Sequence, residues 1–450
     1  MQKLLTRFEV LYDRSIKYVV GLLILAIPLY PKFPFISIPG TYVGIRLEDF
    51  LLAVSALWWF LGNLRRMKDI VREHTTQALI LFWIIGAVSL FSALTITQTI
   101  MPLVALLHWA RRIEYMICFL LGISAVRNTK NLKFYFLCIV IVVMYSFTYG
   151  VGQKYFAWPI VTTQNEEYSK GVALQYITGG HLVATFAGHY DMASVLILIL
   201  PLIIGIAVSK TQIVKEVMFL KSPKLSRGVL LIVALCGTWL LANAASRISI
   251  VSFLGAVGLG LLLMRKYWVI PVLLVLTLLI SALSGSLISR YMNIYDVTIK
   301  KVLSVEIIPV AHAQAEPAAT EDRSTNIRLN IEWPRAIRAI QRNPFLGTGY
   351  SSITLATDND YIRMLGEVGI LGALSFVILF LQILHPFVSR IFSTHKAGTE
   401  TLFAMLIFCA LPGIFLNMVF IDILEASKFA ILFWLLLGIS FGLIYKKHDE

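Results

Sequence analysis

The chain has 450 residues, of which 58% are hydrophobic and 14% are charged, and its mean hydropathy is +0.79. A soluble globular protein is about half apolar and about a quarter charged, so this composition excludes a large soluble core with a polar surface. The net charge of +14 does not call for a nucleic-acid partner, because lysine and arginine collect in the cytoplasmic loops of polytopic membrane proteins.

Long apolar runs dominate the sequence. A run of about 20 apolar residues crosses a bilayer as a helix, and the sequence predicts about twelve such spans. They lie near residues 16–35, 45–63, 77–97, 107–126, 132–151, 190–208, 228–245, 248–264, 267–285, 363–384, 402–421 and 427–445. The predicted fold class is therefore an all-α polytopic membrane protein.

Every second connector between these spans is basic. The basic connectors hold the arginines and lysines at 65–72, 127–133, 210–227, 265–266 and 390–396, and the C-terminal tail holds two more at 446–447. Because basic connectors stay on the cytoplasmic side, both termini are predicted to be cytoplasmic in a multi-pass protein of the cytoplasmic (inner) membrane. The remaining connectors are predicted to face outward.

These spans and connectors define three predicted parts. Residues 1–285 hold spans one to nine, with an outer loop at 152–189. Residues 286–362 form a large, partly helical outer loop, and residues 363–450 hold spans ten to twelve. Within the large loop, residues 309–322 are rich in Ala, Pro and Glu and are predicted to be a flexible linker.

The large loop ends in a polar stretch, Arg323–Gly372, that contrasts with the apolar remainder of the chain. Its residues 325–342 are predicted to form an amphipathic helix. The apolar face would hold Leu329, Trp333, Ala336, Ile337 and Ile340, and the opposite face Arg328, Arg335, Arg338 and Arg342. Gly347 and Gly349 predict a tight turn. Polar residues concentrated beside membrane spans mark a candidate functional site.

A short acidic segment, Asp358-Asn359-Asp360, precedes the tenth predicted span. The spacing is that of the Asp-x-Asp motif in metal-dependent lipid-linked glycosyltransferases, but two acids in three residues are common by chance. We expect no cofactor and no divalent metal at Asp358 and Asp360. The four cysteines fall inside apolar blocks without a metal-type spacing.

The polar stretch resembles the signature region of the O-antigen ligase and O-antigen or exopolysaccharide polymerase superfamily, which consists of bacterial integral membrane glycosyltransferases. The matching residues are Arg328, Trp333, Asn343-Pro344, Gly347-Thr348-Gly349, Asn359, Tyr361 and Glu367-Val368-Gly369-Ile370-Leu371-Gly372. Upstream, Ser246-Arg247 and the segment with Thr185, Phe186 and His189 also match. The histidine that the family carries before Asn359 is Asp358 here, which leaves polymerase-like activities more open than a strict ligase.

The resemblance implies a GT-C-like membrane enzyme that moves a glycan from a polyprenyl pyrophosphate to an acceptor hydroxyl on the outer membrane face. It implies as partners a lipid-linked oligosaccharide donor, a glycan or lipid-glycan acceptor, and membrane lipids. Two other functions stay open. One is a transporter or flippase of lipid-linked glycans without catalysis, and the other is a ligase relative that glycosylates proteins.

The expected site has three groups of residues. Asp358, Arg328 and His189 are the catalytic candidates, with Asp358 as a base, as a group that orients the acceptor, or simply as a helix cap. The candidates for binding the pyrophosphate or glycan are Arg247, Arg335, Arg338, Asn359 and Tyr361, although an interfacial helix could also turn its arginines towards lipid headgroups. Glu367, Trp333, Gly347 and Gly349 are expected to support the site.

Overall fold

A computed structural model of the chain describes residues 2–30, 34–38, 44–160, 176, 180–284, 327–353, 357–391 and 398–445. The predicted linker 309–322, residues 161–175 and 177–179 of the outer loop, and the large loop up to residue 326 lie outside the described residues. The helices are α1 (Gln2–Leu29), α2 (Leu47–Asn63), α3 (Met67–Arg72), α4 (His74–Ser92), α5 (Pro102–Ala125), α6 (Leu132–Tyr155), α7 (His189–Val208), α8 (Thr211–Val217), α9 (Pro223–Asn243), α10 (Arg247–Leu263), α11 (Val269–Leu283), α12 (Trp333–Arg342), α13 (Asp360–Ile391), α14 (Thr399–Asn417) and α15 (Ser427–Tyr445).

Each of the twelve predicted spans overlaps one of these helices. Among the described residues, eight helical segments are long and apolar enough to cross a membrane, and α10 and α11 are shorter apolar helices. The prediction of an all-α polytopic membrane protein is thereby confirmed. The number of helices that cross the bilayer stays a prediction.

The connector between the first two spans contains a hairpin that the sequence did not suggest. Strand β1 (Pro34–Ser37) pairs antiparallel with strand β2 (Gly44–Arg46). The first span was predicted to reach residue 35, whereas α1 ends at Leu29. Prolines at positions 28, 31 and 34 explain the earlier end, because each removes a backbone donor that a continuing helix needs.

Two helices form the centre of the bundle. The spanning windows of α7 and α15 are almost entirely buried, whereas only about a third of those of α2 and α4 is buried. Helix α15 packs along α5, while α7 is enclosed by α9, α10 and α14. A helix that is apolar around its whole circumference is suited to such a central position, and the exposed sides of α2 and α4 are apolar surfaces for lipid.

Contacts near the ends of the helices agree with the prediction that basic connectors lie at one end of the bundle and the remaining connectors at the other. At one end, Arg111 donates to the Gly44 carbonyl over 3.2 Å, and Arg342 donates to the Thr97 carbonyl over 2.8 Å. At the other end, Tyr445 donates to Glu73 over 2.6 Å. The connectors predicted to face outward therefore share one end of the bundle, which we call the outer end.

Helix α13 is broken inside its length, at Gly369, whose φ is +68°. In a regular helix the amides of residues 370 and 371 would bond to the carbonyls of residues 366 and 367. Here Ile370 N donates to Pro344 O over 2.9 Å and Leu371 N to Phe345 O over 3.1 Å. The chain before α13 thus replaces part of the hydrogen bonding of the helix itself.

The predicted glycine turn completes this exchange. Thr348 N donates to Gly366 O over 2.8 Å, and Gly349 N donates to Glu367 O over 2.9 Å. Gly347 and Gly349 have φ values of +70° and +89°, which side chains rarely allow. The turn and the helix break consequently form one unit that fixes the segment after α12 against α13.

Candidate functional site

The site is built around an ion pair between Arg328 and Asp358 at the outer end. Asp358 Oδ2 accepts from both Arg328 Nε, at 3.0 Å, and Arg328 Nη2, at 2.8 Å. The side chain of Tyr190, at the start of α7, also lies close to the guanidinium. Only 14% of the Arg328 side chain and 26% of the Asp358 side chain remain exposed, so the two residues are held together in a recess.

The electrostatics of the pair follow from burial and charge. Burial alone would lower the pKa of Arg328, but the charge of Asp358 and the hydrogen bonds to Asp358 and Tyr190 raise it. Burial raises the pKa of Asp358, and the neighbouring Asp422 acts in the same direction, while Arg328 opposes both. Arg328 therefore stays charged, and its charge favours the ionised form of Asp358 against the effect of burial.

The backbone around Asp358 is fixed by a residue from another connector. Asp422, between α14 and α15, accepts from Thr357 N at 2.7 Å and from Asn359 N at 2.8 Å. Asp358 lies between these two donors with a φ of +49°. Asn359, rather than Asp358, caps α13, because its Oδ1 accepts from the amides of Tyr361 and Ile362, both at 3.0 Å.

Arg363 links this segment to the interior of the bundle. Its guanidinium lies 3.0 Å from Asp422, 3.2 Å from Glu425 and 3.4 Å from Glu367. Glu425 is also paired with Arg112 of α5. We call these residues together with Asp360 the Arg363 cluster. All of them except Asp422 line a cavity of about 50 Å³, which has room for ordered water.

The two aspartates of the Asp358-Asn359-Asp360 segment point to different partners. Asp360 Oδ2 accepts from the amides of Ile423 and Leu424, at 2.9 and 3.2 Å, whereas Asp358 pairs with Arg328. Among the described residues, no three His, Cys, Asp or Glu side chains group so that they could hold a metal ion. The expectation of a metal-free enzyme stays a prediction.

His189 begins α7 beside Tyr190. The rings of His181 and His189 are stacked with their centroids 3.8 Å apart, and the rings of His189 and Tyr190 are 3.9 Å apart. His181 Nδ1 lies 3.0 Å from the carbonyl oxygen of Ala244. Three residues later, Arg247 is the first residue of α10 and is partly exposed. The structure thus places His189 next to Tyr190, which lies beside Arg328. Arg247 lies three residues after Ala244, the residue that His181 contacts.

The helix that carries the arginines begins with a π turn, Arg328–Glu332, in which Trp333 N bonds to Arg328 O. A regular helical wheel does not hold across such a turn. Arg338 is exposed, Arg342 binds the Thr97 carbonyl, and Arg335 is partly buried. Only Arg328 pairs with Asp358, and the π turn separates Arg328 from the regular helix that carries Arg335, Arg338 and Arg342.

The supporting residues occupy defined positions around this recess. Glu367 is 3% exposed and belongs to the Arg363 cluster. Tyr361 donates its hydroxyl to Phe415 O over 3.0 Å, which joins α13 to α14. Gly347 and Gly349 form the turn described above. Trp333 is the first residue of α12 and precedes Pro334.

Sequence reasoning missed several residues that build the site. They are Glu332, Arg363, Asp422, Glu425, Tyr190 and His181. Two signals were available: Glu332 follows Arg328 by four residues, the spacing of ion pairs on a helix, and Arg363 is a charged residue at the start of an apolar span. Nothing in the sequence brings Asp422 to Asp358, because 63 positions separate Asp422 from Asn359.

Comparison with known proteins identifies one family. Residues 231–377 match the family model described as O-antigen ligase. The matched stretch reaches from within α9 to within α13 and includes Arg247, the ion pair of Arg328 with Asp358, and Arg363. No curated protein matches the chain.

Proposed function

We propose that the chain transfers a glycan from a polyprenyl pyrophosphate to an acceptor hydroxyl, because residues 231–377 match the family model described as O-antigen ligase. The family match supports a glycan-transferring ligase role in surface polysaccharide biosynthesis. The proposed donor is a lipid-linked oligosaccharide, and the acceptor is a glycan or lipid-linked glycan. We place the reaction at the outer face of the cytoplasmic membrane, with both termini in the cytoplasm, as the basic connectors indicate.

The position of Arg328 is the observation that carries this proposal. A departing lipid pyrophosphate gains negative charge, and an arginine fork binds phosphate oxygens bidentately without losing its own charge. Asp358 and Tyr190 hold the Arg328 guanidinium in place at the outer end. Preorganised positive charge stabilises a developing anion without reorganisation during the reaction. We assign Arg247 and Arg335 as further contacts of the pyrophosphate.

The donor also needs a place for its apolar tail. Leu329, Ile331 and Ile337 are all about half exposed around the start of α12, on a segment that also carries the arginines. An amphipathic helix of this kind lies at a membrane interface with its apolar side towards the acyl chains. We propose that the polyprenyl chain remains in the bilayer beside these residues while the pyrophosphate reaches Arg328.

The other candidates receive positioning roles. Asp358 orients Arg328 through its Oδ2. Asn359 and Tyr361 fix the start of α13, and His189 supports Tyr190 through ring contact. The acceptor sugar would bind in the same recess.

A transporter of lipid-linked glycans would need polar groups along a path across the bilayer. The ion pairs of the Arg363 cluster instead connect with the outer connectors through Asp422 and Glu425. This arrangement favours an enzyme that acts at one membrane face.

The proposal predicts that Arg328→Ala reduces the surface glycan in a strain whose glycan depends on this protein. Loss of one preorganised group that stabilises an anion lowers turnover by about 10²–10³-fold. Glycan would be measured by gel electrophoresis of cell-envelope extracts, together with protein levels by immunoblot. Gln341→Ala changes an exposed residue of the same helix and serves as the control. Normal glycan in an Arg328→Ala strain with normal protein levels would contradict the assigned role.

A further inference from the structure

Three neighbouring side chains at the start of α12 present buried polar atoms without a hydrogen-bond partner among the described residues. They are Glu332 Oε2, Trp333 Nε1 and Arg335 Nη1. Buried polar atoms in proteins are nearly always satisfied. They are one acceptor and two donors on the turns that follow Arg328, and a polar substrate would satisfy such groups.

The carboxylate of Asp358 is already committed. Its Oδ2 takes two charge-assisted hydrogen bonds from Arg328, and both backbone amides beside it are held by Asp422. Protonation of Asp358 would weaken the pairing that holds Arg328 in place. The proton of the acceptor hydroxyl therefore needs another destination.

We propose that Glu332 is the general base that accepts the proton of the acceptor hydroxyl, a role that rests on the proposed glycan transfer. Glu332 closes the π turn that begins at Arg328, so the group that takes the proton and the group that stabilises the leaving pyrophosphate share one turn of chain. Among the described carboxylates near Arg328, Glu332 combines a buried oxygen that has no hydrogen-bond partner with a place in the π turn that Arg328 begins.

The charges around Glu332 suit this role. Burial raises the pKa of Glu332 to about 7, with the negative charges of Asp358 and Asp422 adding to the effect and the positive charges of Arg328 and Arg335 opposing it. A general base works best when its pKa lies near the operating pH. Arg328 and Arg335 lie near Glu332 along the chain, Asp358 comes from the segment before α13, and Asp422 comes from the connector before α15.

The proposed step balances in atoms and charge. The acceptor oxygen forms a bond to the anomeric carbon of the donor glycan as its proton moves to Glu332. The bond between that carbon and the phosphate oxygen breaks, and its electron pair leaves with the polyprenyl pyrophosphate beside Arg328. The carboxylic acid formed at Glu332 later returns its proton to solvent or to the pyrophosphate.

The test compares Glu332→Gln with the wild-type protein in a transfer assay, using purified full-length protein, polyprenyl-pyrophosphate-linked glycan and acceptor. Glutamine keeps the shape of the side chain but accepts no proton, so the turnover number should fall by about 10²–10⁴-fold. In the wild type, turnover should rise with pH up to about 7 and then level off, because Glu332 must be ionised. This rise should be absent from the residual activity of Glu332→Gln, while Gln341→Ala should keep both rate and profile.

Three outcomes would overturn the role of Glu332. Glu332→Gln could retain the wild-type rate, it could retain the acid limb of the profile, or His189→Gln could remove that limb in place of Glu332→Gln. A loss of folding would be visible as a lowered melting temperature of Glu332→Gln relative to Gln341→Ala. The proposed function fails separately, if the wild-type protein forms no product. It stands without this base if Arg328→Ala is inactive while Glu332→Gln is active.

Discussion

At the scale of single residues, the ion pair between Asp358 and Arg328 determines what Asp358 can do in this site. Asp358 replaces the histidine that the resembled family carries, and its carboxylate binds Arg328 rather than capping the following helix. A histidine at this position could take up and release a proton near neutral pH, whereas a paired aspartate holds an arginine. The exchange of residue type thus changes the chemistry available at an otherwise similar position.

Asp422 is the residue on which the position of Asp358 depends most. It accepts two backbone amides and pairs with Arg363, and its side chain is only 9% exposed. Asp422→Asn should destabilise the protein by about 2 kcal/mol, since hydrogen bonds to a charged group each contribute about 1.5–3 kcal/mol and asparagine keeps one acceptor oxygen. The measurement is thermal unfolding of purified protein in detergent.

Asp69→Asn is the matched control for this substitution, because Asp69 is exposed and lies in a connector at the other end of the bundle. It should leave the melting temperature unchanged. If Asp422→Asn melts at the same temperature as Asp69→Asn, the anchoring of residues 357–359 by Asp422 is wrong.

Among the elements, α12 and α13 separate what the sequence could predict from what it could not. The apolar run of α13 and the helical periodicity of residues 325–342 were visible in the sequence, and helices lie at both places. The π turn at Arg328–Glu332 was not visible, because a hydrophobic wheel assumes regular spacing. The single arginine stripe rested on that regular spacing and stays a prediction, and Glu332 was overlooked.

The break in α13 was also hidden in the sequence. Glycines at 366, 369 and 372 are compatible with close helix packing as well as with a break. Whether the helix is broken depends on the carbonyls of residues 344 and 345. They accept from helix amides in place of the helix's own carbonyls, and they reach these amides only once the chain has folded. Local pattern therefore predicted the helix but not its interruption.

Gly369→Ala tests this interruption. A side chain at a φ of +68° costs about 1–2 kcal/mol, and the new Cβ would collide with the Phe345 carbonyl. The substitution should lower the melting temperature and the yield of folded protein. Gly255→Ala is the control, because Gly255 lies in α10 with open space around it, and alanine is the better helix former. Equal melting temperatures for the two variants would show that the break does not matter for stability.

At the scale of the whole molecule, the apolar runs determined most of the fold. The predicted spans overlap helices because about 20 apolar residues have few alternatives to a helix in a bilayer. The site was predictable only in part, since Arg328, Asp358 and Asn359 lie in one polar stretch. Tyr190, Asp422 and Arg112 reach it from other helices and connectors, and only the packing of the bundle brings them together.

The central claim is that Arg328, held by Asp358 at the outer end, stabilises the leaving pyrophosphate in glycan transfer. The most direct measurement uses purified protein with a polyprenyl-pyrophosphate-linked glycan and an acceptor in detergent, where no transmembrane gradient exists. Product formation would be followed by mass spectrometry for the wild type and for Arg328→Ala. We predict that the wild type forms the transferred glycan and that Arg328→Ala forms it about 10²–10³-fold more slowly. No product from the wild type, or equal rates for the two proteins, would contradict the claim.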